Sequence, residues 1–106
     1  ILNTLPVHSK LVLSSIYTII NKGIKEPKTG EVFEIYNNLC NEINMKPLTQ
    51  RRISSLINEL NITNIVNTKV ISLGRYGRTK KILLEIPLNS VKEIFLKDPL
   101  VSIFFK

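Results

Sequence analysis

Apolar residues recur at helical spacing twice in the first part of the chain. The first predicted helix follows Pro6, with His8 or Ser9 as its cap. After a polar connector, a second helix is predicted to begin near Glu31, with Glu34 also in the first turn, where the helix dipole favours acidic side chains. The inward faces of these helices are mainly apolar: Leu11, Val12, Ser15, Ile16, Ile19 and Ile20 in the first, and Val32, Ile35, Tyr36, Leu39 and Ile43 in the second.

The segment LTQRRISSLINEL predicts a third helix with two contrasting faces. Thr49 is the expected N-cap, and the helix is expected to continue from Gln50 to Leu60. Apolar residues at i, i+3, i+4 and i+7 form the face that a core would bury: Ile53, Leu56, Ile57 and Leu60. The opposite face carries short or positively charged side chains, which suit close approach to base edges and phosphates better than plain exposure to solvent: Gln50, Arg51, Ser54, Ser55 and Asn58.

Two strand-forming segments with a turn between them predict a hairpin. Residues 62–73 are rich in Ile, Val and Thr, and residues 80–86 form a second strand before Pro87. Gly74 and Gly77 lie in the intervening segment, GRYGRT, and indicate a turn there. The tip of this hairpin is expected to present Arg75, Tyr76 and Arg78, with Lys80 and Lys81 directly behind them.

The order of the predicted elements points to a winged helix. A short helix over residues 90–97 follows the hairpin, and a last apolar segment, LVSIFFK, follows Asp98 and Pro99. Three helices, a two-stranded hairpin and one or two C-terminal helices match the plan of a winged helix-turn-helix domain, of the α+β class but mainly α. Residues 1–106 are expected to form this single domain. Because the chain begins with Ile1 rather than Met, we expect it to be a fragment of a larger protein.

The basic charge of the chain is concentrated in its middle third. The sequence has 15 Lys and Arg against 8 Asp and Glu, a net charge of +7. Residues 46–81 hold eight of these basic residues and only Glu59 as an acidic one, so this segment carries the whole net charge. Clustered charge is typical of polyanion binding, whereas charge that serves solubility is spread out. We therefore expect the third helix and the hairpin to contact double-stranded DNA.

The remaining composition argues against several other classes of protein. No segment has the roughly 20 apolar residues that a membrane span needs, and no signal peptide opens the chain, so a cytoplasmic, nucleoid-associated protein without a membrane partner is expected. The single cysteine, Cys40, cannot form an internal disulfide and is expected to be packed and inert. With His8 as the one histidine, the chain lacks the four ligands of a structural zinc site, and no metal is expected.

No residue pattern indicates catalysis. The P-loop pattern G-x-x-x-x-G-K-S/T is absent, and Gly74 and Gly77 lack the third glycine and the following helix of a phosphate-binding loop. His8 has no neighbouring nucleophile in the sequence, so a surface or capping role is expected for it. We therefore expect this part of the protein to have no enzymatic activity and no cofactor of its own.

Three runs of residues, taken in order, resemble a known family. These runs are GEVFEIYNNLC (30–40), LTQRRISSLINEL (48–60) and GRYGRTKKILL (74–84). They resemble the C-terminal winged-helix domain of the archaeal origin-recognition initiators, which are similar to origin recognition complex subunit one and cell division control protein six of eukaryotes. The resemblance covers roughly residues 5–86. It implies a winged helix that binds duplex DNA at replication origins, with LTQRRIS as the recognition-helix contacts and GRYGR as the wing.

The same resemblance implies partners outside this chain. An upstream ATPase module of the same polypeptide would hold ATP or ADP with Mg, and a replicative helicase would be a further partner. The family often has glycine before the third helix and at the following corner, where this chain has Asn44 and Asn64. Asparagine tolerates the left-handed backbone region better than most residues, so we expect the backbone shape to be kept.

The expected DNA contacts fall into three groups. Phosphate contacts, which give salt-dependent affinity, are expected from Lys46, Arg52, Lys69, Lys80 and Lys81. Base edges in the major groove are expected to meet the polar helix face, chiefly Gln50, Arg51, Ser54 and Ser55, with Thr49 and Asn58 beside them. At the wing tip, Arg75 and Arg78 are expected to reach the minor groove around Gly77, and Tyr76 either packs on the sugar-phosphate backbone or braces the hairpin.

Two alternative functions remain open at the level of sequence. A transcription regulator related to the initiators would use the same DNA-binding surface at promoters rather than origins. A protein-interaction winged helix would instead dock a helicase or a partner subunit through exposed apolar surface, for which the tail LVSIFFK is the candidate. Core closure, or contact with an upstream domain, explains that tail more simply.

Overall fold

The computed structural model describes residues 5–72 and 74–105 and confirms the winged-helix plan. The helices pack around α1, and a two-stranded antiparallel hairpin lies beside them, so the described chain is mainly helical. The four α-helices of this part of the chain are α1 (Val7–Asn21), α2 (Thr29–Glu42), α3 (Gln50–Ile62) and α4 (Leu88–Leu96), and the strands are β1 (Val66–Ser72) and β2 (Arg78–Leu84). Short 3-10 turns lie at Gly74–Tyr76 and Ser102–Phe104. No helix among the described residues is long and apolar enough to cross a membrane.

α1 is the central helix of the core. α2, α3 and α4 all pack against it, so even Ser14 and Ser15 are fully buried. These serines remain satisfied because each hydroxyl donates to the carbonyl one turn earlier, Ser14 to Lys10 and Ser15 to Leu11, both at 2.8 Å. Cys40 is also fully buried, as expected, and burial raises the pKa of its thiol.

The first two helices begin earlier than their patterns predicted. Pro6 occupies the N-cap of α1, and its carbonyl accepts from the Lys10 amide at 3.0 Å. The expected caps, His8 and Ser9, therefore lie inside the first turn, and that prediction is wrong. Proline starts the helix directly because its fixed φ suits this position. α2 begins at Thr29, and the Glu31 carboxylate accepts from the Lys28 amide at 3.0 Å, which closes that helix end.

His8 has a specific partner rather than a surface or capping role. Its Nδ1 lies 2.7 Å from the hydroxyl of Tyr36, a fully buried side chain of α2. Burial lowers the pKa of His8, which keeps its imidazole neutral over a wider pH range. Burial also raises the pKa of Tyr36 to about 12, so its hydroxyl stays protonated. The expected surface or capping role was therefore wrong, because the partner is 28 residues away in sequence.

Two asparagines shape the ends of α2 and α3. Asn44 has φ 56° and Asn64 has φ 63°, both in the left-handed region. Each turn is closed by the next amide, since Met45 donates to the Cys40 carbonyl at 2.8 Å and Ile65 to the Leu60 carbonyl at 3.0 Å. The expectation that asparagine keeps the backbone shape at these two places is confirmed.

The hairpin is shifted from the predicted strand bounds. β1 begins at Val66 rather than residue 62, because α3 continues to Ile62 and the turn at Asn64 follows it. β2 begins two residues earlier than predicted and ends at Leu84, in a register that pairs Val66 with Leu84. The α1–α2 connector adds a short edge to the sheet, since the Ile82 amide donates to the Pro27 carbonyl at 2.8 Å.

The C-terminal tail closes the core beside α1 and α4. The Phe105 ring lies 4.8 Å from the Tyr17 ring and 5.6 Å from the Phe95 ring, and it is only 6% exposed. Lys10 and Asp98 form an ion pair at the same end of the molecule. Core closure, the simpler expectation for the tail, thus holds for Phe105, whereas Ile103 is 52% exposed.

Candidate nucleic-acid interface

The polar face of α3 is held outward by its buried stripe. Ile53, Leu56, Ile57 and Leu60 are all at most 3% exposed, so they fix the rotation of the helix about its axis. The predicted cap is confirmed, because the Thr49 hydroxyl accepts from the Arg52 amide at 3.2 Å. The side chains on the outward face are exposed except Ser54, which is half-buried: Gln50, Arg51, Arg52, Ser55 and Asn58.

An open groove of about 410 Å³ separates α3 from the wing. It brings together four predicted site residues, Gln50 and Ser54 from α3 with Arg78 and Lys80 from β2. Its remaining lining residues are Thr29, Gly30, Val70 and Thr79, so none of the described residues that line it is acidic. Two cations with several hydrogen-bonding groups and no acid favour a ligand that carries phosphates or polar base edges.

A hydrogen bond ties the wing to α3 across this groove. The Lys80 ammonium donates to the Asn58 side-chain oxygen at 2.9 Å. Both residues belong to the predicted DNA-binding set, as a phosphate contact and a helix-face residue respectively. Their mutual contact positions Lys80 over α3, and it also fixes the strand relative to the helix. Two protons of the ammonium group stay available for another acceptor.

Lys69 and Lys81 lie on the other face of the hairpin from Lys80. The two are directly opposite in the strand register and therefore share a face, whereas Val70 pairs with Lys80 on the groove side. Lys81 also contacts Glu26 of the α1–α2 connector at 3.6 Å. Two like charges set opposite each other oppose strand pairing, so this pair is not explained by hairpin stability. Their predicted phosphate contacts stay predictions, directed at the flank of the wing.

The wing tip separates the two predicted minor-groove arginines. Arg75 lies in the 3-10 turn, while Arg78 opens β2 and lines the groove. Gly74 (φ 66°) and Gly77 (φ 94°) allow the chain to reverse between them, which a residue with Cβ would do only with strain. The predicted sugar contact of Tyr76 concerns a side chain outside the described part of the structure.

Several groove residues were not singled out from the sequence. Val70 is 59% exposed although it is apolar, and the alternation of β1 counted from buried Val66 would have placed it on the α3 side. Thr29 and Gly30 reach the groove because α2 starts there, which no local signal reveals. Lys46 is exposed in the loop before α3, apart from the groove lining.

Comparison with known proteins agrees with this architecture. The family model described as "CDC6, C terminal winged helix domain" matches residues 1–94. An ORC1-type DNA replication protein of Thermococcus onnurineus is 47% identical over 98 residues, which is 92% of this chain and 24% of that protein. One from Pyrococcus horikoshii is 44% identical over 110 residues, covering 100% of this chain and 26% of the relative. The chain thus spans about a quarter of the length of these relatives.

A solved structure has the same fold along nearly the whole chain. The Aeropyrum pernix ORC1 protein, in complex with DNA, superposes with a TM-score of 0.88 and 38% sequence identity. The match covers 95% of this chain and 26% of that one. The resemblance found in the three sequence runs is confirmed by these matches. This chain therefore belongs to the CDC6 C-terminal winged-helix family and is similar over nearly its whole length to part of the ORC1-type DNA replication proteins.

Proposed function

We propose that this domain binds duplex DNA, with the first turn of α3 in the major groove and the wing against the adjacent backbone and minor groove. The observation that carries the proposal is the concentration of the whole net charge of +7 in residues 46–81, the segment that builds α3 and the wing. The groove between these elements has cationic and hydrogen-bonding residues and no acidic lining. The relative from Aeropyrum pernix, similar over 95% of this chain, was solved with DNA.

The proposed contacts follow from where each side chain lies. Gln50 and Arg51, exposed in the first turn of α3, suit adenine and guanine edges respectively. Arg75 would reach the minor groove from the tip, as expected from the sequence. Arg78 was expected there too, but because it lines the groove with Lys80 we assign both of these residues to phosphates. Val70 is an exposed apolar residue in the groove lining, and in this proposal it would contact a thymine methyl or a sugar.

We also propose functions for the part of the protein outside this domain. The relatives are about four times longer than this chain, so we place the ATPase module, with ATP or ADP and Mg, in that remainder. This chain has no P-loop motif, so its own residues do not fit a nucleotide site of that kind. A helicase partner and a role at origins rather than promoters belong to the same proposal.

Salt-dependent binding tests the proposed interface. A labelled random-sequence duplex is titrated with the domain at several salt concentrations by fluorescence anisotropy. We expect wild type to bind in the range of about 1–100 µM and to weaken steeply with salt. Arg75→Ala/Arg78→Ala is expected to reduce the slope of log K against log salt by about 1–2, because each phosphate contact contributes about 0.9.

A charge-matched variant controls for the general loss of two cations. Lys92→Ala/Lys97→Ala removes the same charge from exposed positions at α4, away from the groove. It is expected to leave the slope unchanged. No binding by wild type at low salt, or equal losses in both variants, contradicts the proposal. A selection for the preferred duplex then follows, and Arg51→Ala is expected to cost about 1–3 kcal/mol at one base position.

A further inference from the structure

The hydroxyl of Tyr36 joins α1, α2 and the entrance of α3. Its oxygen lies 2.7 Å from Nδ1 of His8 on α1 and 2.8 Å from the backbone nitrogen of Leu48. Leu48 directly precedes Thr49, the cap of α3. One buried side chain therefore connects the central helix with the segment that starts the recognition helix.

The chemistry of these groups fixes the direction of one of the two bonds. The Leu48 amide can only donate, so the Tyr36 oxygen accepts from it. The direction of the bond to Nδ1 of His8 follows the imidazole tautomer, since the Tyr36 hydroxyl donates when the ring proton is on Nε2 and accepts when it is on Nδ1. In either case Tyr36 contacts both His8 and Leu48, and both bonds are directional.

These two bonds add a directional constraint at the entrance of α3. The buried stripe, with Ile53 in the first turn, holds the helix against the core, and the Leu48 side chain also packs there. Apolar packing is non-directional, whereas a hydrogen bond restricts both the distance and the angle between its two groups. The bond from the Leu48 amide to Tyr36 therefore restrains the backbone just before Thr49 relative to the α1–α2 core.

We propose that His8 and Tyr36 are positioning residues for the recognition helix. Their hydrogen bonds hold Leu48, and with it the first turn of α3, where Gln50 and Arg51 meet base edges. This proposal rests on the proposed DNA-binding function. Because the wing phosphate contacts do not pass through Leu48, the effect is expected on sequence preference rather than on general affinity for DNA.

Two pairs of variants test the proposal. Tyr36→Phe keeps the ring and removes the hydroxyl, and Tyr17→Phe is the matched control, a core tyrosine of α1 that packs on Phe105. His8→Leu removes the hydrogen-bonding partner of Tyr36, whereas His8→Asn keeps an amide that can accept or donate near the place of Nδ1 and serves as the rescue. The His8 pair keeps the test decisive if Tyr36→Phe does not fold.

The measured quantity is the ratio of affinities for the selected duplex and a random duplex, at one salt concentration. A single base contact is worth about 5-fold to 150-fold in discrimination, so we expect Tyr36→Phe and His8→Leu to lower the ratio at least about fivefold. Affinity for the random duplex is expected to change less than about twofold. Tyr17→Phe and His8→Asn are expected to behave like wild type.

Amide hydrogen exchange without DNA gives an independent readout. Faster exchange at Leu48 and in the first turn of α3, in Tyr36→Phe and His8→Leu but not in the controls, supports the positioning role. An unchanged affinity ratio, or losses of the same size on both duplexes, overturns it while leaving DNA binding intact. Failure of the proposed function looks different, because wild type itself then shows no binding.

Discussion

Residues of the same type in the basic segment differ in what each side chain contacts. Lys80 donates to Asn58 across the groove, whereas Lys81, its neighbour, pairs with Glu26 on the other face of the wing. Exposed ion pairs such as the second contribute little to stability, because solvent and salt screen them. We therefore expect Lys80 to contribute more to the free energy of DNA binding than Lys81, although the sequence predicted the same phosphate contact for both.

His8 gives the fold a predictable pH dependence. Its pKa is lowered by burial, so the unfolded chain takes up a proton near the usual value of about 6.5 while the folded chain does so only at lower pH. Between these two values the unfolded state binds more protons, and the free energy of unfolding falls as pH falls. We expect urea unfolding to show lower stability at about pH 5.5 than at about pH 7.5.

His8→Asn separates this effect from other titrations. The variant lacks the single histidine of the chain, so its stability is expected to change less between the two pH values. Asp98 does not interfere. Burial alone would raise the pKa of Asp98, but the bonds from Lys10 and the Leu100 amide lower it overall, so its contribution is lost only in more acidic solution. Equal losses in wild type and variant would contradict the role given to His8.

At the scale of elements, α3 is defined by its two ends. Thr49 caps the start, and the left-handed turn at Asn64 redirects the chain into β1, which places the wing beside α3. The bond from Lys80 to Asn58 then links the two elements at mid-length. The shape of the groove therefore depends on the cap at the start of α3 and on the turn after its end, and not on any one side chain.

Substitution of Asn64 tests the importance of that corner. Alanine is strained at φ 63°, so Asn64→Ala is expected to lower the free energy of unfolding by about 1 kcal/mol. Glycine adopts this region without strain, so Asn64→Gly is expected to match or exceed wild type in urea unfolding. Asn67→Ala, at an exposed strand position, serves as the control and is expected to stay within about 0.5 kcal/mol. Equal stability of the alanine and glycine variants at 64 would contradict this account.

At the scale of the whole molecule, the cationic groove and the C-terminal tail are separate regions. The groove between α3 and the wing is lined by Arg78 and Lys80, whereas the tail closes the core, where Phe105 packs on Tyr17 and Phe95. The burial of Phe105 is therefore explained by the core of this domain itself. Only Ile103 of that tail is both large and mostly exposed among the described residues.

Two tail variants separate core closure from docking. Phe105→Ala is expected to lower the free energy of unfolding by about 3–5 kcal/mol, the usual cost of truncating a buried phenylalanine. Ile103→Ala is expected to stay within about 0.5 kcal/mol, because its side chain is mostly in solvent. Chemical denaturation measures both. A cost of under about 1 kcal/mol for Phe105→Ala would show that the tail does not close the core.

The sequence by itself determined the elements that local chemistry specifies. Helical spacing identified α3 and its buried stripe, and Thr49 marked its start correctly. The charge count located the basic segment, because charge is a property of the residues alone. Asparagine at positions 44 and 64 indicated left-handed turns, since few other residues accept that backbone.

Tertiary structure decided what depends on distant neighbours. Tyr36, the partner of His8, lies 28 residues away in the sequence. The start of α2 lines the same groove as β2. Lys80 and Lys81 are assigned to opposite faces of the hairpin only by the strand register. The strand bounds moved because α3 continued into a segment whose β-branched residues favoured a strand. Local propensity is worth fractions of a kcal/mol per residue, whereas burial and pairing across the fold sum to more, so those contacts set the final arrangement.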